Sequence, residues 1–130
     1  MNNRMIWLVI LCAVLLVPVL PAGQTAATRA VMHDKLELSH HVLDAIMTSN
    51  LAVLEHDAGT LARINERPGW MVLTTPEYAR YSAAFITVAQ DLAAAARDQD
   101  LDAAAVRYAS MTMACYQCHR YVKSARMARR

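Results

Sequence analysis

The chain has 130 residues, 56% of them hydrophobic, with 13 basic against 11 acidic side chains and a formal charge of +2 at neutral pH. That near balance argues against a nucleic-acid binder, which presents a strongly cationic surface, and the length allows one small domain with one core rather than two. Alanine is abundant, only three glycines occur, and the four prolines fall in the N-terminal stretch or at segment joints, a composition that favours helix.

The first stretch carries Arg4, runs apolar from Met5 to Leu20, and breaks at Pro21-Ala22-Gly23. A charged start, an apolar run and a small-residue exit predict a secretory signal over residues 1–23, cut somewhere within 22–27. The run falls short of the roughly 20 residues of a spanning helix, so an uncleaved membrane anchor is the lesser alternative. Cys12 lies inside the apolar run behind Leu11, where a lipid-attachment site would want a small residue, and is read as removed with the signal. The domain proper is then 24–130, close to neutral, with Cys115 and Cys118 as its two cysteines.

Four helical segments follow and no strand is expected. The first should run from about Thr28, a candidate cap, to Met47, with an inward stripe through Met32, Leu36, Ser39, Leu43 and Ile46, widened by Val31, Val42 and Ala45. His33, His40 and Asp44 fall on the opposite line and should face water. A short joint at Thr48-Ser49-Asn50 predicts an antiparallel neighbour, capped by Ser49 or Asn50, carrying Leu51, Leu54, Ala58, Leu61 and Ile64 inward and His56 outward. The connection from Arg67 to Thr74 contains a Pro-Gly turn and then Trp70, which is expected to plug the core, with contact to a bound group as the alternative. Thr75-Pro76-Glu77 is a helix start, with hydroxyl cap, proline in the first turn and a carboxylate at the positive pole. That helix presents Tyr78, Tyr81, Phe85, Val88, Leu92 and Ala95 and should end near Arg97. Asp100 caps the last helix, whose stripe is Leu101, Ala104, Tyr108, Met111, Cys115, Cys118 and Val122. The fold class is therefore all-α, an antiparallel up-down-up-down four-helix bundle.

The chemistry is concentrated at Cys115-Tyr116-Gln117-Cys118-His119. Two cysteines three apart with a histidine directly after the second form the attachment signature of a c-type haem. On a helix the two thiols lie one turn apart on one face, where each can add to a vinyl group of one porphyrin edge. His119 follows four residues after Cys115, on the same side, and can reach the iron as an axial ligand. A thioredoxin-like redox pair would need a βαβ setting, and a zinc site would need further ligands at motif spacing; neither is present. Because the cysteines are in register with the last helix's stripe, the haem is expected on that helix and inside the bundle. The cationic end formed by Lys123, Arg126, Arg129 and Arg130 suits the negative pole of a helix, and its functional readings are docking of an acidic redox partner or contact with haem propionates, for which Arg29 is a further candidate.

Four helices, an export signal and a C-terminal CxxCH resemble the class II c-type cytochromes, the cytochrome c prime family. The resemblance covers the domain proper, and within it a Met-x-x-Lys-Leu start at Met32 to Leu36 and a Thr-Pro-Glu-Tyr opening at Thr75 to Tyr78 match small exported cytochromes of this class. It implies thioether bonds from Cys115 and Cys118, His119 as proximal ligand, and often a homodimer. One branch of the family has a methionine as sixth ligand; the other leaves the iron five-coordinate.

In an up-down-up-down bundle the start of the first helix lies level with the end of the last, which puts Met32 within about one turn of His119 in height, at 1.5 Å per residue. Met47 would be displaced by roughly 22 Å on the same rise. The cofactor-binding set is thus Cys115, Cys118, His119 and Met32, with His119 and Met32 on the metal, and His33, His40 or His41 as lesser distal alternatives. The expected function is electron transfer in the periplasm with a redox partner protein, through one covalent haem c. The alternative is a five-coordinate gas-binding protein. No enzyme is expected, since no distal acid-base constellation stands out.

Overall fold

The computed structural model describes residues 25–128; the expected signal segment, with Cys12, and the two terminal arginines lie outside the described residues. Four α-helices follow one another, α1 (Ala26–Met47), α2 (Leu51–Leu61), α3 (Pro76–Arg97) and α4 (Leu101–Met127), with one 3-10 turn at Ile64–Glu66. No strand occurs among the described residues. Each helix packs on the next in the chain, so the fold is the antiparallel four-helix bundle the periodicity predicts. Among the described residues no helix is long and apolar enough to cross a membrane.

The helix ends explain the topology. The α1–α2 and α3–α4 joints use one device, in which the second residue after the helix takes a left-handed conformation, Ser49 at φ 56° and Gln99 at φ 58°. The N–H of the next residue then reaches back to the last turn, Asn50 to the Ala45 carbonyl (2.8 Å) and Asp100 to the Ala95 carbonyl (2.9 Å). This is a Schellman closure. The same two residues also cap the following helix, their carboxamide or carboxylate oxygen accepting from Val53 N–H and Ala103 N–H. A residue that ends one helix and starts the next leaves the chain no length in which to do anything but reverse. At α3 the Thr75 hydroxyl accepts from Tyr78 N–H, with Pro76 in the first turn.

Two details of the first helix depart from expectation. Its cap is Thr25, whose hydroxyl accepts from Thr28 N–H at 3.1 Å, so Thr28 lies in the first turn and is buried. The buried face runs through Thr28, Val31, Lys35, Val42, Ala45 and Ile46, while Leu36 and Leu43 are 55% and 40% exposed. The stripe is therefore rotated by one residue from the line through Leu36 and Leu43. The rotation arises because Lys35, polar by type, points inward. α2 ends at Leu61, and Ile64 reaches the core from the 3-10 turn instead of the helix.

The centre of the bundle is built from Val42, Leu54, Leu61, Phe85, Leu92 and Met111, each almost inaccessible to solvent. Alanines at 89, 93, 96 and 104 let the backbones of α3 and α4 approach closely. The α2–α3 connection packs back as expected. Trp70 and Leu73 are buried while Met71 turns outward, and Gly69, at φ 88°, lies against the backbone of Ala27 and Thr28.

Candidate functional site

The four helices are not equally close. α1 and α4, first and last in the chain, touch sparsely compared with the other neighbouring pairs, and a cavity of about 350 Å³ opens between them. α1 contributes Met32 and Lys35 to its walls; α4 contributes Cys118, His119 and Val122. The α2–α3 connection closes one side with Trp70 and Val72, and Tyr78 adds to the wall from the first turn of α3.

That wall is fixed by three hydrogen bonds. Trp70 Nε1–H donates to Ser82 Oγ at 2.6 Å, and the Tyr78 hydroxyl donates to the Trp70 carbonyl. Thr75 and Tyr121 are joined through their hydroxyls at 2.6 Å, which ties the cap of α3 to the last turns of α4. Trp70 thus plugs the core as expected, packing on Phe85 with ring centroids 6.0 Å apart, and also lines the cavity.

Of the predicted residues, Met32, Cys118 and His119 share the cavity. Cys115 is half-buried one turn deeper on α4 and packed against the core. Both thiols are free. Met47 is 70% exposed at the far end of α1, where its displacement along the helix puts it. His33, His40 and His41 are exposed and do not line the cavity; His33 lies 3.8 Å from Glu37 and His41 3.6 Å from Asp57. Arg29 is also exposed and outside the lining, whereas Lys123 and Arg126 belong to it.

Burial sets the local protonation. It pushes the Cys118 thiol up, with the Lys35 charge working against it and the second thiol adding to it. Burial lowers the His119 imidazole below its usual value, and Lys35 lowers it further. A neutral imidazole is the form that can coordinate a metal.

Lys35, which the sequence reading did not single out, is the cavity's most unusual group. Its side chain lies among Trp70, Phe85 and Cys115, and burial lowers its pKa while both thiols oppose that change. Its signal was present in the sequence, because Thr28, Val31, Lys35, Val42 and Ala45 step by three, four, seven and three. A cation on an apolar line is easily taken as the edge of the solvated face.

The residue set fits a covalent haem. Two free thiols a turn apart on one helix face could supply the attachment points, and an imidazole from α4 and a thioether from α1 line the same cavity as potential donors to a metal. The apolar wall of Trp70, Val72 and Val122 would suit a porphyrin, and Lys123 and Arg126 in the lining could face its carboxylates. Comparison with known proteins returned no family model, no curated protein and no solved structure that matches the chain.

Proposed function

We infer that this protein is a c-type cytochrome of the class II kind, exported to the periplasm and transferring electrons to and from a redox partner protein. One haem would be held by thioether bonds from Cys115 and Cys118, with His119 and Met32 as axial donors. The observation that carries the reading is the convergence of Met32 with Cys118 and His119 on one cavity, between two neighbouring helices that pack sparsely.

Bound haem supplies a one-electron ferric–ferrous couple. The chain's own contribution is positional. His119 presents a neutral nitrogen from a rigid helix, and Met32 presents a thioether from the facing helix, a donor that favours the ferrous state. Two donors on rigid helices would leave little room for geometric change on electron transfer. Trp70, Val72 and Val122 exclude water from the faces they cover. The Lys123 and Arg126 side chains give this end of the bundle a cationic character, which suits an acidic partner surface or the propionates. The resemblance to the family adds a homodimer as the expected assembly.

A second reading, a five-coordinate gas-binding cytochrome, is favoured by the room between α1 and α4 and by the partial exposure of Met32. Both readings require pigment that survives acidified acetone after production in a cell with haem-attachment machinery. A colourless or extractable product overturns both. Carbon monoxide added to the reduced protein then separates them: slow or weak binding supports Met32 ligation, and fast, tight binding supports the open site.

A further inference from the structure

Lys35 is a charge the proposed ligation does not use. It is 6% exposed, and its Nζ stands 3.5 Å from the centroid of the Phe85 ring and 5.0 Å from that of Trp70. Among the described residues it has no carboxylate within ion-pair distance. Asp57, the buried carboxylate of the described core, faces His41 on the α1–α2 side instead. Two aromatic faces are partners that an ammonium takes, since the attraction is between positive charge and the ring quadrupole. Burying a cation without a counter-ion is costly, and a methionine or leucine would fill the same space at no such cost.

Its position along the bundle is specific. Lys35 is one turn further into α1 than Met32, which on an antiparallel neighbour moves it away from the level of His119 and toward that of Cys115. On the ligation proposed above, the amine would therefore stand beside the porphyrin edge tethered by Cys115, not at the iron. We propose that Lys35 is a charge-tuning residue, a fixed cation held by Phe85 and Trp70 against the Cys115-bound edge of the haem, where it favours the reduced state.

The electrostatics follow from charge balance. A bound haem would take one electron from the redox partner as its iron goes from ferric to ferrous, so the site would lose one unit of positive charge with no bond made or broken and no proton needed. A neighbouring cation repels the ferric site more than the ferrous one, and burial inside the bundle spares that repulsion most of the screening by salt.

This inference rests on the cytochrome reading, and the test keeps the two apart. Midpoint potentials are measured by spectroelectrochemical titration on the haem-loaded wild type, Lys35→Met, Lys35→Gln and Lys35→Arg. Loss of charge in the Met and Gln variants should shift the ferrous-to-ferric ratio at fixed potential by roughly tenfold toward ferric, about 59 mV lower for a one-electron couple. The absorption spectrum should keep its wild-type ligation signature, and Lys35→Arg should restore the midpoint. If either neutral variant folds, binds covalent haem and titrates at the wild-type midpoint, Lys35 is a packing residue and the proposal falls. Absence of covalent pigment in the wild type itself overturns the cytochrome reading first.

Discussion

Gly69 meets the backbone of Ala27 so closely that a Cβ at position 69 would stand 2.5 Å from the Ala27 carbonyl carbon and 2.5 Å from the Thr28 nitrogen. The contact pins the α2–α3 connection to the start of α1, so that Trp70 and Val72 face the cavity. Both obstacles are backbone atoms, which cannot swing aside, and the left-handed φ of 88° adds its own strain for any residue with a side chain.

Gly69→Ala should therefore destabilise the protein by about 2 kcal/mol or more, the combined effect of strain and clash. Urea unfolding followed by helical circular dichroism measures it. A loss within about 0.5 kcal/mol, the range of an ordinary surface change, would mean that the connection does not dock on α1 as described.

The rotated face of α1 is tested at Leu36, with Leu54 of α2 as the buried reference. Leu54 is fully buried and Leu36 is more than half exposed, although both sit on apolar-looking lines. Leu54→Ala should cost about 2–5 kcal/mol by loss of transfer energy and creation of a cavity. Leu36→Ala should fall within about 0.5 kcal/mol of wild type. Equal losses at the two positions would restore the stripe through Leu36.

Met32→Ala tests the sixth ligand in the haem-loaded protein. Removing the thioether should convert a low-spin ferric spectrum to a high-spin one, read by visible absorption and paramagnetic resonance, and should speed carbon monoxide binding to the reduced form. An unchanged spin state would remove Met32 from the iron.

In haem-free protein, Lys35→Met should raise stability, on the order of 1 kcal/mol, because it replaces a buried ammonium by an apolar chain of similar length. The direction of the pKa shift adds a pH signature. Burial lowers the folded-state pKa below the ordinary lysine value of 10.5, so the folded chain releases this proton before the unfolded chain does. The penalty for the charge is complete below the folded pKa, shrinks as pH rises toward 10.5 and is gone above it. The stability gap between variant and wild type should therefore narrow over that window in paired unfolding curves. A constant gap would show that the cation carries no burial penalty.

Much of the architecture is local, and for that reason legible before folding. Asn50, Thr75-Pro76 and Asp100 mark helix starts through groups that bond within three residues, and their positions hold in the structure. The cap of α1 was misplaced by one turn because Thr25 and Thr28 are chemically equivalent. Only the docking of Gly69 on the backbone behind Thr28 makes the latter a buried first-turn residue.

The sequence alone determined four helices, the starts at Thr75 and Asp100, a choice of Ser49 or Asn50 for a third, and the Cys115-Cys118-His119 signature, because each depends on neighbours a turn or less away. The tertiary structure decided which line of α1 turns inward. Lines through Lys35 and Leu36 lie about 100° apart on one helix, and only the rings of Phe85 and Trp70, distant in the chain, make a buried cation tolerable. It also decided that α1 and α4 stand apart. The cavity that Met32 and His119 both line is a property of how four helices settle against one another, and no single helix encodes it.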